Sequence, residues 1–67
     1  MPDVRIGSRG TLTVATRGAD GPGEVQVDDG ETFIAYAEES LPKGTIVVIY
    51  DVHGGRRVDV EPLNKGG

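Results

Sequence analysis

Apolar residues recur at every second position along most of this chain, the period of a strand with one buried face. In Thr11-Leu12-Thr13-Val14-Ala15 the alternation turns Leu12 and Val14 toward a core and the threonines outward. Val4 and Ile6 offer an earlier start, with Gly7 and Gly10 bending the chain. Gly23-Glu24-Val25-Gln26-Val27 alternates again, and Asp28-Asp29-Gly30 reads as a hairpin turn because Asp and Gly tolerate positive φ. Its partner strand runs from Glu31 to Ala37. Phe33, Ala35 and Ala37 share one face and Ile34 and Tyr36 the other, so this central strand is either covered on both sides or curled through a barrel. The stretch from Thr45 to Val52 is the most hydrophobic, with β-branched residues on both faces. After His53-Gly54-Gly55, a short turn, Arg56 to Glu61 returns with Val58 and Val60 inward, and Pro62 ends the pairing.

The intervening segments carry turn chemistry. Residues 16–22 are polar, Gly-rich and without a period, which predicts a loop. In Glu38-Glu39-Ser40-Leu41-Pro42-Lys43-Gly44, Pro42 and Gly44 are placed for a turn at Lys43, Leu41 is the single apolar anchor, and there is room for at most one helical turn. Five short strands, one apolar on both sides, favour a closed or nearly closed barrel because closure removes exposed edges. OB-like and SH3-like barrels both fit. The expectation is an all-β chain with one domain over residues 1–67, an ordered core over about 4–63 and a flexible tail at 64–67.

Composition strengthens this picture. Thirteen Val and Ile against three Leu, with five Thr and eleven Gly, suit pleated strands and tight turns. A chain of 67 residues without Cys has no disulfide or Cys-based zinc site to support it, so burial must hold it together. The longest apolar run, residues 46–50, is far short of the roughly 20 residues of a membrane-spanning helix. Seven Lys and Arg against eleven Asp and Glu give a net charge of −4, the wrong sign for a protein that depends on phosphate contacts.

Candidate chemistry is sparse. Ser40, Asp51 and His53 supply the residue types of a hydrolytic triad, but no serine sits in a Gly-x-Ser-x-Gly elbow, and a solvated turn accounts for His53. Asp28, Asp29 and Glu31 lack the spacing of a calcium loop. Gly21-Pro22-Gly23 has the glycines of a phosphate loop without the Gly-Lys-Ser/Thr that would follow. Arg9, Arg17, Arg56 and Arg57 could form a basic patch, yet alternation sends Arg56 and Arg57 to opposite faces, with Asp51, Asp59 and Glu61 nearby. Tyr36 and Tyr50, read as neighbours on adjacent strands, offer a partial base-stacking platform or a cross-strand packing pair. Lys43 lies in a turn without the flanks of a swinging-arm carrier domain.

Four motifs occur in order: Ile6-Gly7-Ser8-Arg9-Gly10-Thr11, Gly21-Pro22-Gly23-Glu24-Val25-Gln26-Val27, Leu41-Pro42-Lys43-Gly44-Thr45 leading into Ile46-Val47-Val48-Ile49, and Val58-Asp59-Val60-Glu61-Pro62. Together they resemble the C-terminal domain of NfeD-like proteins, with a Gly-rich opening, a Pro-x-Gly-Thr turn and a closing Val-x-Val-x-Pro. The stretch from Gly18 to Val25 is similar to a short, membrane-anchored actinobacterial branch. Residues 28–36 depart from the common form, in which a Tyr-Asp-Ala or Trp-x-Ala step is frequent. Some members carry a serine protease domain upstream, which nothing here matches.

The resemblance implies a five-stranded OB-fold barrel, noncatalytic, working beside stomatin- or flotillin-type membrane scaffold proteins at the cytoplasmic face of a bacterial membrane. It would be tethered through segments outside this chain. No cofactor or metal is expected. Exposed loop positions Arg17, Asp20 and Pro22, together with Tyr36, are the expected protein-interaction residues, because recognition is commonly mounted on loops of a rigid scaffold. The competing reading is an OB-fold binder of single-stranded nucleic acid, which the acidic balance disfavours.

Overall fold

The computed structural model of the chain describes residues 6–63. Seven strands form: β1 (Arg9–Val14), β2 (Thr16–Arg17), β3 (Gly23–Val27), β4 (Thr32–Tyr36), β5 (Ser40–Leu41), β6 (Ile46–His53) and β7 (Arg57–Pro62), with one 3-10 turn at Gly18–Asp20. Five of them close into a barrel in the order β1-β3-β4-β7-β6, and β2 pairs separately with β5. Every barrel pairing is antiparallel except β4 with β7, which run parallel. This is the five-stranded OB-fold barrel expected from the motifs.

The alternation builds the core. Leu12, Val25, Val27, Phe33, Ala35, Val47, Ile49, Val58 and Val60 project into the barrel, and Leu41 joins them from β5. Ala37, read as the third inward residue of its strand, packs partly buried against this cluster. The other face of β4 is not covered: Ile34 and Tyr36 are exposed, so the barrel arrangement holds and the two-sided one does not. Residues 4 and 5, suggested as an earlier strand start, lie outside the described residues, as do 64–67. Before β1, Gly7 N donates to Ile49 O and Ile49 N to Ser8 O.

The turns follow their residues. Gly30 at φ 94° receives the left-handed position of the 28–30 turn, and Gly30 N donates to Val27 O. Gly44 at φ 92° completes a turn in which Thr45 N donates to Pro42 O, placing Lys43 and Gly44 at the corner.

Three expectations need correction. First, Val14 does not face the core but is 47% exposed. The register shifts between Leu12 and Val14, where Leu12 pairs with Val25 and Val14 with Glu24. This bulge inverts the alternation and turns Val14 out, while Thr16, past the break between β1 and β2, faces in again. Thr16 is buried with its hydroxyl fully used: Oγ1 donates to Glu39 O and accepts from Leu41 N, both at 2.9 Å. Second, residues 16–22 and 38–44 are not plain loops, since Thr16 pairs with Leu41 and Arg17 with Ser40. Third, Pro62 does not end the pairing. It stands opposite Val47, and the next backbone bond comes from Leu63 N to Ile46 O, so no N–H is required of the proline.

Gly23 allows the close approach at the first bulge. A Cβ there would overlap the carbonyl oxygens of Val14 and Ala15, which belong to backbone and cannot swing aside. Gly23→Ala is therefore expected to lower unfolding free energy by about 1–3 kcal/mol. Thermal melts should show a fall in Tm on the order of 4–8 °C for each kcal/mol. Gly54→Ala, where a Cβ meets open space, should melt near the parent.

Candidate functional site

Barrel closure and a second bulge together build a surface cleft. The parallel register sets Tyr36 of β4 opposite Asp59 of β7, and Ile34 opposite Arg57. On its other side β7 meets β6, where Asp59 faces Asp51 and Arg57 faces His53. The β6 register shifts between Ile49 and Asp51. Without that extra residue, strict alternation from inward Ile49 would send Asp51 and His53 inward too. The bulge at Tyr50 reverses the phase, and both residues are exposed, on the side of Asp59.

The result is a shallow cleft of about 350 Å³ lined by Tyr36, His53, Arg57 and Asp59. His53 Nε2 lies 3.0 Å from Asp59 Oδ2 and 4.0 Å from Asp51 Oδ2. Val52 N donates to Asp51 Oδ1 at 2.9 Å, which fixes that carboxylate. Arg57 Nε donates to Gly54 O at 2.9 Å, holding the guanidinium stem at the hairpin turn. The hydrogen bond to Asp59 raises the His53 pKa above its ordinary 6.5, and the charges of Asp59 and Asp51 add to it. Desolvation and the Arg57 charge oppose the rise.

The neighbouring turn is tied down separately. Arg56, at φ 59°, donates through Nη1 to Glu31 Oε1 at 2.9 Å and to Thr32 O at 3.2 Å. The Glu31 pair joins the 54–56 turn to the 28–31 turn, and the guanidinium carbon lies 5.5 Å from the centroid of the Phe33 ring on β4, a cation–π contact.

Of the interaction residues expected from sequence, Tyr36 lines this cleft and is 39% exposed. Arg17, Asp20 and Pro22 are exposed on the segment between β1 and β3 and are not among the residues lining it. Tyr36 and Tyr50 are not on adjacent strands, because β7 inserts between β4 and β6. Tyr50 instead borders a small depression with Glu38, Glu39 and Glu61. Ser40 pairs with Arg17 in the short β2–β5 sheet and is not in the cleft lining.

The other candidate features have local roles. Asp29 Oδ1 accepts from Glu31 N at 3.0 Å, and Glu31 pairs with Arg56. In the Gly21-Pro22-Gly23 stretch, Gly21 N donates to Gly18 O, and Gly23 packs backbone on backbone. Asp59 and Arg57 were missing from the expected site. Their signal is the hairpin itself: a three-residue turn at 54–56 puts His53 beside Arg57, and the same unbroken register sets Asp51 level with Asp59, while the bulge beyond Asp51 turns this face outward relative to Ile49.

A profile of the NfeD C-terminal domain matches residues 9–61. No curated protein sequence gives a significant match. Solved structures that share the fold include the following three. The soluble domain of the NfeD protein YuaF from Bacillus subtilis has a TM-score of 0.73 and 24% identity, covering 85% of this chain and 71% of that one. The C-terminal domain of stomatin operon partner protein 1510-C from Pyrococcus horikoshii has a TM-score of 0.72 and 26% identity, covering 90% and 89%. The soluble domain of a Corynebacterium glutamicum membrane protein implicated in regulation of membrane protease activity has a TM-score of 0.70 and 22% identity, covering 85% and 89%. No helix among the described residues is long and apolar enough to cross a membrane.

The His53–Asp59 pair has a definite pH signature. Because the folded-state pKa lies above the ordinary 6.5, its contribution to stability is fully present below that pH and is lost as pH rises through the folded value. An NMR titration of the His53 ring should give a pKa above 6.5, and Asp59→Asn should bring it down toward that value. An unshifted ring in the parent would mean that the pair does not form in solution.

Proposed function

This chain belongs to the NfeD C-terminal domain family, and on that premise we propose that it is a noncatalytic interaction and assembly module for a stomatin- or flotillin-type membrane scaffold protein. The observation that carries this reading is the likeness, over 90% of this chain, to the C-terminal domain of a stomatin operon partner. In this reading the domain works at the cytoplasmic face of a bacterial membrane.

The barrel suits such a role because closure fixes its outer face before any partner arrives, so little ordering entropy is lost on docking. Tyr36 is the proposed anchor: an aromatic ring on a strand end, exposed beside charged groups, has the character of an interface hot spot. Arg17, Asp20 and Pro22 form the proposed second contact area on their exposed segment. The net charge of −4 disfavours a nucleic-acid ligand.

The test is an affinity measurement between this chain and the soluble part of a stomatin-type scaffold protein at moderate salt. Tyr36→Ala should weaken binding roughly tenfold or more, about 1.4 kcal/mol, while Tm stays within a few degrees of the parent. Equal losses of binding and stability would make Tyr36 a packing residue. Absence of binding by the parent, or salt-sensitive binding of short single-stranded DNA in its place, would overturn the reading.

A further inference from the structure

We propose that Asp51, His53 and Asp59 form a binding site for a divalent transition-metal ion of the zinc class on the outer face of the barrel. One nitrogen and two carboxylate oxygens, one from each residue, all lie within 4.8 Å of one another. The arrangement is built by two separate features of the backbone. The antiparallel register sets Asp51 directly opposite Asp59, a pairing of like charges that costs stability in a sheet unless a cation lies between them. The bulge between Ile49 and Asp51 turns this face outward, and His53, two residues beyond Asp51 on the same strand, adds its imidazole on the same side.

The donor set selects the metal. Imidazole nitrogen favours zinc, nickel or cobalt over magnesium and calcium, which prefer all-oxygen shells. At metal–ligand lengths of about 2.0–2.2 Å, neighbouring donors stand about 3.0–3.5 Å apart. His53 Nε2 and Asp59 Oδ2, at 3.0 Å, already have that spacing, with the metal taking the place of their direct contact. Asp51 Oδ2, at 4.0 Å from Nε2, needs only a small side-chain adjustment. The Val52 N–H holds Asp51 Oδ1 and leaves Oδ2 toward His53, the outer support that orients a carboxylate ligand. His53 and Asp59 also line the cleft of about 350 Å³, so the remaining coordination position opens to water or to a donor atom brought by a docked molecule. The proposal does not depend on the identity of the protein partner.

The experiment is a titration of the untagged chain with zinc chloride in metal-free buffer, followed by calorimetry and by amide NMR, with magnesium chloride run in parallel. Saturable zinc binding with shifts centred on residues 51–53 and 57–59 is expected, with at least about tenfold weaker binding in His53→Gln and Asp59→Asn. Asp28→Asn should bind as the parent does. Circular dichroism confirms that each variant folds, and cobalt(II) added to the parent should give the visible absorption bands of nitrogen and oxygen ligation. No saturable binding, an equal response to magnesium, or full binding by the His53→Gln variant would overturn the proposal.

Discussion

The parallel pairing of β4 with β7 is the constraint on which the rest of this molecule depends. Ile34, Ala35 and Tyr36 take Arg57, Val58 and Asp59 as partners, and with those pairs the sheet becomes a barrel. An open sheet of five strands would leave two exposed edges and a half-covered apolar face, which a chain of 67 residues without disulfides could hardly sustain. A barrel of this bore admits few large side chains. Val and Ala line most of it, Phe33 is the one aromatic in the core, and Leu41 joins from β5.

Closure also decides the surface. Because β7 lies between β4 and β6, its outward Arg57 and Asp59 have neighbours on two strands, and Asp59 meets Tyr36 on one side and Asp51 on the other. Two bulges then set which side chains face out. At Leu12/Val14 the shift turns Val14 out, and Thr16, past the break between β1 and β2, is buried with both hydrogen bonds of its hydroxyl made inside the protein. At Ile49/Asp51 the shift exposes Asp51 and His53 together.

The sequence was legible where a residue type has a single strong preference. Asp28-Asp29-Gly30 and Pro42-Lys43-Gly44 mark their turns because only Gly is comfortable at the left-handed positions found at Gly30 and Gly44. The inward Val25, Val27, Val58 and Val60 follow from alternation alone, whereas residues 31–37 and 45–52 are apolar on both faces, and barrel closure selects Phe33, Ala35, Val47 and Ile49 as the inward set. Alternation fails one residue past each bulge, since an inserted residue leaves no mark in a pattern of period two, and Val14 was misplaced for that reason. Two-residue strands such as β2 and β5 have no period to detect. Tyr36 was recognisable as an exposed residue of its strand, but Arg57 and Asp59, and with them His53 of the same hairpin, reach it through the β4–β7 pairing, for which no local signal exists.

The proposed function places the partner contact on the outer face shared by β4, β7 and the end of β6, where the cleft lies. Hydrogen–deuterium exchange of the chain with and without a stomatin-type scaffold protein tests that claim most directly. Slowed exchange confined to segments 34–36, 51–59 and the exposed 16–22 segment is the predicted result. Protection centred on β1 and β3 strand backbones with segments 34–36 and 51–59 unchanged would contradict it.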